Sequence, residues 1–143
     1  MMRHAITLAQ QAAERGDIPV GAVIYRGEEI LGEGSNRREI DADPTAHAEI
    51  VAMRQAGIAL GHWRLIDCSM AVTLEPCPMC AGAMVNARLA RVIWGADDPK
   101  AGACRSLYEL HNDKRLNHRL EGVGGVLKEE CLSLLQDFFK ARR

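Results

Sequence analysis

With 143 residues, 48% of them hydrophobic and 26% charged, the chain matches one globular domain that buries roughly two-thirds of its unfolded surface, so no metal or disulfide is needed merely to fold it. The formal net charge of −1 excludes a broadly basic nucleic-acid-binding surface, and no apolar run approaches the roughly 18 residues of a membrane span. The cysteines, Cys68, Cys77, Cys80, Cys104 and Cys131, are odd in number, which argues for reduced thiols, metal ligands or core residues rather than a disulfide framework.

The opening "MMRHAITLAQQAAER" has broken apolarity and no small-residue cleavage site, unlike a secretory signal, and predicts a cytoplasmic setting. Charge is uneven along the chain. Residues 1–86 carry 7 Lys and Arg against 11 Asp and Glu, a net −4, and residues 87–143 carry 11 against 8, a net +3. A mixed solvated surface accounts for that asymmetry as well as a partner would.

Residues 3–15 place Ile6, Leu8, Ala9, Ala12 and Ala13 at helical intervals before Gly16. "PVGAVIYRGEEILGEGSN" reads as two strands around a turn at Gly27 and Glu28, with Gly32 and Gly34 loosening the second. Polar "RREIDADP" reads as loop. Ala46–Leu60 follows a helical pattern with Thr45 as N-cap. "MAVTLE" is a short apolar strand, "PMCAGAMVNAR" a helix opened by Pro78, and "ARVIWGA" another strand. "DDPKAGACRS" is loop, residues 106–112 a short helix, "GVGGVL" a weak strand and "EECLSLLQDFFKARR" a terminal helix. Strands alternating with helices in a single domain predict an α/β fold with helices on both faces of the sheet.

The chemistry concentrates in "HAE" and "EPCPMC". Cys77 falls at an N-cap and Cys80 at the third position of the helix that starts at Pro78, so both sulfurs sit at the positive end of a helix dipole, where thiolates form easily. Two thiolates make half of a tetrahedral zinc site, and His47 is the candidate third ligand. His47 and Glu49 stand two apart, which separates them on a helix flank. At a helix mouth, side chains leaning toward the N-terminus converge on a point ahead of the axis. One imidazole and two thiolates leave a fourth position for water, the pattern of a catalytic zinc, and Glu49 is then free to act as general base and acid. A redox Cys-x-x-Cys is the alternative, although it leaves "HAE" without a purpose; a structural zinc site, with Glu49 as fourth ligand or merely solvated, is another. Core packing accounts for Cys68, Cys104 and Cys131, with Cys104 placed to lie near the site.

"HAE" with "PCPMC" resembles the signature of the zinc-dependent nucleoside and nucleobase deaminases. "DPTAHAEI", "VTLEPCPMCAGAMVNARLARVIWGADDPKAGA", "LNHR" at 116–119 and "FFKARR" are similar to the bacterial tRNA-specific adenosine deaminases, over nearly the whole chain. The resemblance implies a three-layer α/β/α cytidine deaminase-like fold with a mixed five-stranded sheet, formed by residues 1–143 as a single zinc-dependent domain. It implies one Zn2+ per chain on His47, Cys77 and Cys80, and Glu49 as proton shuttle. Water activated at the zinc would attack C6 of a flipped adenine, Glu49 would protonate the ring nitrogen, and ammonia would leave. It places substrate contacts at Asn36, Ala48, Leu74, Glu75, Pro76, Ala96, Asp98, Lys100, Asn117, His118, Arg142 and Arg143. An anticodon stem-loop is the implied partner, and homodimers whose active sites border the partner are the implied assembly. Lys140 and the two terminal arginines would face phosphates. Phe138 and Phe139 read first as core residues of an amphipathic helix and only second as stacking platforms. Such relatives carry several residues before their first helix, whereas this chain enters it at once. Free-base deaminases such as guanine deaminase share "DPTAHAE" and "EPCPMC", and "RVIWGADDPKAGA" with "LNHR" separates the tRNA enzymes from them. A zinc-stabilised binding module without catalysis is the alternative from another class, and it predicts that Glu49 is dispensable.

Overall fold

The computed structural model describes residues 1–142, so the expected phosphate contact at Arg143 lies outside the described residues. In chain order the elements are α1 (Met2–Glu14), β1 (Gly21–Arg26), β2 (Glu29–Ser35), α2 (Arg38–Asp41), α3 (Ala48–Leu60), β3 (Ser69–Leu74), α4 (Pro78–Asn86), β4 (Arg91–Ala96), β5 (Glu121–Val123) and α5 (Lys128–Lys140), with a 3-10 turn at Leu110–Asn112. The sheet runs β2-β1-β3-β4-β5. β1 is antiparallel to both β2 and β3, whereas β3, β4 and β5 are mutually parallel. The expected mixed five-stranded sheet is what forms.

Alternation along β1 builds two cores. Ala22 and Ile24 join Met70, Val72, Val92 and Trp94 beneath Ala52, Met53, Ala56, Ala81 and Met84 of α3 and α4. Val23 and Tyr25 turn the other way, to Ala5, Ile6 and Leu8 of α1 and Cys131 of α5. Helices therefore cover both faces, giving the three layers. Among the described residues no helix is long and apolar enough to cross a membrane.

Gly32 and Gly34 do not loosen β2, as their residue type had implied. α3 lies so close to the strand that a Cβ on Gly34 would stand 2.1 Å from the Ala48 carbonyl oxygen, and one on Gly32 2.2 Å from that of Ala52. Only a missing side chain permits this approach. It presses the first turn of α3 against the end of β2, next to Asn36.

Local chemistry corrects three boundaries. α3 starts at Ala48, not Ala46, with His47 as its N-cap residue, because Thr45 is engaged elsewhere: its hydroxyl and its amide both donate to Asp43 Oδ1, at 2.7 and 2.8 Å. The polar segment after β2 holds one helical turn, α2, closed by Ala42 in the left-handed region. The helix expected over 106–112 shrinks to the 3-10 turn.

Candidate active site

The site lies beyond the carboxyl ends of parallel β3 and β4, where ligands of open α/β sheets bind. Each candidate metal ligand is fixed by a helix start. His47 has extended backbone and its carbonyl accepts the Val51 amide at 3.0 Å, so its side chain leaves just before α3 begins. Cys77 does the same for α4, with its carbonyl 2.8 Å from the Ala81 amide and Pro78 in the first turn. Cys80 is buried at the third helical position. The two mouths converge: His47 Nδ1 is 3.6 Å from Cys77 Sγ and 3.6 Å from Cys80 Sγ. The three ligand atoms lie within 4.8 Å of one another and could hold a metal ion. Both residues of "HAE" sit at a helix mouth, as expected, with His47 as the N-cap residue rather than inside the helix and Glu49 in the first turn.

Electrostatics follow from the shared mouth. Its hydrogen bonds to Cys80 and His47 bring the Cys77 thiol down to about 4, so Cys77 carries the thiolate. The Cys80 thiol, bonded to that thiolate and buried, is pushed up and keeps its proton. The bond to Cys77 raises the His47 imidazole. Glu49 is 4% exposed, and burial raises its carboxyl to about 7, the range in which a side chain both takes and returns a proton.

His47, Glu49 and Cys77 line a cavity of about 200 Å³ together with Ile18, Val20, Asn36, Arg38, Ala48, Leu74, Glu75, Asp98 and Ala101, with Cys80 buried behind them. It is smaller than the roughly 300 Å³ at which pockets for drug-sized ligands begin, and suits one ring system. Asn36 Oδ1 accepts the Arg38 amide at 3.2 Å, which leaves the Asn36 side-chain N–H groups for a ligand.

Glu75 lines the same cavity but its carboxylate is committed. It is 2% exposed. It accepts the amides of Asp98 (3.0 Å), Cys104 (3.1 Å), Arg105 (2.8 Å) and Ser106 (2.8 Å), and the Ser106 hydroxyl. These bonds hold its pKa below the usual carboxylate range despite its burial. Gly102 must be glycine, since a Cβ would meet the carboxylate at 2.3–2.4 Å. Glu75 is thus the post around which residues 97–106 are wound, and it sets Asp98 and Ala101 in the pocket wall. Pro76 and Ala96 are buried beside it; their carbonyls accept the amides of Ala103 and Glu75.

The remaining expected contacts spread outward. Lys100 and Lys140 flank a second hollow, which shares Ile18, Leu74 and Asp98 with the first and is bordered by Phe139. Phe138 is buried, as a core residue would be, and Phe139 is exposed. Arg142 lies over the Phe138 ring at 3.7 Å. Asn117 is exposed and the half-buried His118 places Nε2 2.7 Å from the Leu89 carbonyl oxygen; neither lines the catalytic cavity. Cys104 is buried, with its thiol pushed up by burial and by Glu75, and it is not among the three grouped ligands. Ile18, Val20, Arg38 and Ala101 were missed in the sequence. Arg38 had one available signal, its place nine residues before His47 in a polar segment.

Two helix mouths converging on a small pocket, with a thiolate, a second cysteine, an imidazole and a buried carboxyl poised near neutrality, are the equipment of a hydrolytic deaminase of nucleobases. The family model described as MafB19-like deaminase matches residues 1–143. The chain belongs to this deaminase family, and its curated relatives include tRNA-specific adenosine deaminases. That of Haemophilus influenzae is 46% identical over 144 residues, covering 100% of this chain and 83% of its own length. That of Bacillus subtilis is 46% identical over 99% of this chain and 88% of its own. Among solved structures, a tRNA deaminase that edits A to I at the wobble position superposes with a TM-score of 0.90 at 38% identity, over 94% of this chain and 97% of its own. Guanine deaminase from Bacillus subtilis superposes with a TM-score of 0.65 at 42% identity, over 67% of this chain and 62% of its own.

Proposed function

We propose that this protein is a cytoplasmic, zinc-dependent tRNA adenosine deaminase, which hydrolyses the 6-amino group of the wobble adenosine in an anticodon to give inosine and ammonia. The observation that carries the reading is Glu49: a buried carboxyl, with a pKa near neutrality, set beside a His-Cys-Cys cluster in a cavity sized for one base. Identity near 46% with tRNA-specific adenosine deaminases over the full chain supports the substrate.

Zinc suits the cluster. Zn–S bonds of about 2.3 Å and Zn–N bonds of about 2.0–2.1 Å at tetrahedral angles separate N from S by about 3.6 Å, the spacing of His47 Nδ1 from both sulfurs. His47, Cys77 and Cys80 would hold the ion, which when bound lowers the pKa of water at its open position toward 7. Glu49 takes the proton released as water adds to C6 and passes it to the ring nitrogen, then takes the proton of the new C6 hydroxyl and delivers it to the amino group, so that ammonia departs as the carbonyl of inosine forms. The Asn36 amide and the Asp98 loop bracket the base, and the cavity's apolar walls at Ile18, Val20 and Leu74 exclude bulk water. The adenosine must leave its stack to enter so small a pocket, at a cost of a few kcal/mol that a single-stranded loop lowers.

We further propose a homodimer. α3 and α4 flank an apolar hollow of about 700 Å³ that runs from Ile50 in the first turn of α3, past Met53 and Ala83, to Ile58 and Trp63 at its carboxyl-terminal end, with Ile58 82% and Trp63 57% exposed. A second copy would cover it. Incubation with an anticodon stem-loop bearing a wobble adenosine, followed by sequencing for inosine, tests the activity. Inosine at that position is expected. No inosine together with ammonia release from free guanine would assign the chain to the base-specific deaminases instead.

A further inference from the structure

Two neighbouring arginines at the start of α2, Arg37 at its N-cap and Arg38 in its first position, are treated differently by the fold. Arg37 is neutralised by Asp41, with Nε 2.9 Å from Oδ2 and NH2 3.0 Å from Oδ1. Arg38 makes no side-chain hydrogen bond or ion pair among the described residues, yet it is half-buried and lines the catalytic cavity. An unpaired guanidinium at the rim of a partly dry cavity retains its capacity for bidentate anion recognition.

The position is built rather than incidental. Asp17, 1% exposed, accepts the amides of Glu39 at 3.0 Å and Ile40 at 3.4 Å, pinning the turn from beneath. Asn36 Oδ1 holds the Arg38 amide. Arg15 donates from NH2 to Ser35 Oγ at 2.7 Å and to the Asn36 carbonyl at 3.2 Å, which fixes the strand end from which the turn departs. Three buried or half-buried side chains therefore hold a single helical turn whose inward product is one free cation at the mouth of the pocket. Around it the pocket offers carboxyl groups at Glu49, Glu75 and Asp98, and Arg38 is its only guanidinium.

We propose that Arg38 is a phosphate-binding residue, taking a backbone phosphate of the RNA strand immediately adjacent to the nucleotide held in the pocket. The inference rests on the tRNA reading above. A free base carries no phosphate and would leave the Arg38 fork without a ligand, whereas a nucleotide drawn out of a strand brings its phosphates to the rim. The bidentate fork would fix the strand's direction across the mouth and so choose which base enters. Lysine, a point charge, would restore attraction but not that geometry.

The test compares wild type, Arg38→Ala and Arg38→Lys on an anticodon stem-loop, reading kcat, KM, zinc content and the salt dependence of binding. The expected result for Arg38→Ala is a KM raised about tenfold with kcat changed less, zinc retained, and a slope of log Kobs against log[salt] smaller by about 0.7, the counterion released for one phosphate on a single strand. Arg38→Lys should recover the slope and only part of the KM. A neutral methylphosphonate placed in turn at the phosphates flanking the wobble nucleotide should weaken wild type at one position and leave Arg38→Ala indifferent there. Wild type active on the stem-loop, with Arg38→Ala matching it in KM and slope, overturns the role of Arg38. Wild type inactive on the stem-loop but active on free guanine overturns the tRNA reading itself, and the Arg38 proposal with it.

Discussion

α3 and α4 have two ends of opposite character. At their amino termini, helix starts, thiols and carboxyls are drawn together and buried, with each polar group assigned to a partner or to the pocket. At their carboxyl termini, Ile58 and Trp63 stand out in solvent, and Arg64 and Arg88 lie over the Trp63 ring at 4.5 and 5.8 Å. The difference teaches how one helix pair separates tasks. The dipoles' positive ends stabilise thiolate and lower the cost of gathering anionic ligands, which makes that end chemical. The opposite end has apolar surface to cover and no chemistry, which makes it adhesive.

Substitutions break this contrast in order of expected effect. Cys80→Ser at the chemical end should abolish both zinc retention and turnover, seen together by elemental analysis and inosine formation; wild type should hold about one zinc per chain. Glu75→Ala should cost about 3 kcal/mol in urea unfolding, since it strands buried amides that the carboxylate now satisfies, and should lower kcat by releasing Asp98. At the adhesive end, Ile58→Glu with Trp63→Glu should yield monomers in analytical ultracentrifugation and remove the concentration dependence of Tm, with zinc content intact. A dimer that survives would place the partner elsewhere. The smallest effect lies away from both ends. Arg115 holds the half-buried Asp113 carboxyl down to about 2. A carboxyl depressed in the folded state contributes stability above its unfolded value near 3.8 and loses it as pH falls through about 2. Asp113→Asn should flatten the stability curve slightly within that window and change nothing at pH 7.

The helix mouths were legible because capping is local: Pro78 announces the start of α4, and the Cys-Pro-x-Cys spacing then fixes both sulfurs. The helices on both faces were legible too, since strands alternate with helices along the chain and β1, apolar along nearly its whole length, needs cover on each side. What escaped depends on distant partners. Glu75 finds its donors 23 to 31 residues downstream, so a motif neighbour looked like a substrate contact when it is the anchor of a loop. Gly32 and Gly34 looked like weak strand residues until α3 was laid against them. Thr45 had the right residue type for an N-cap, but Asp43 competes for its hydroxyl, and His47 takes the position. Arg38 was hidden in a stretch whose polarity read only as loop; its value comes from Asp17, far back in the chain, which turns it inward.

The central claim is a division of labour across two residues, His47 holding the metal and Glu49 moving the proton. The most direct measurement sets zinc-loaded wild type and Glu49→Gln side by side on the anticodon stem-loop, scoring inosine per chain together with bound zinc and Tm. Glu49→Gln should keep its zinc and its fold and lose about a hundredfold or more in rate, the usual contribution of a positioned acid-base group. A Glu49→Gln protein that edits at the wild-type rate would contradict the account.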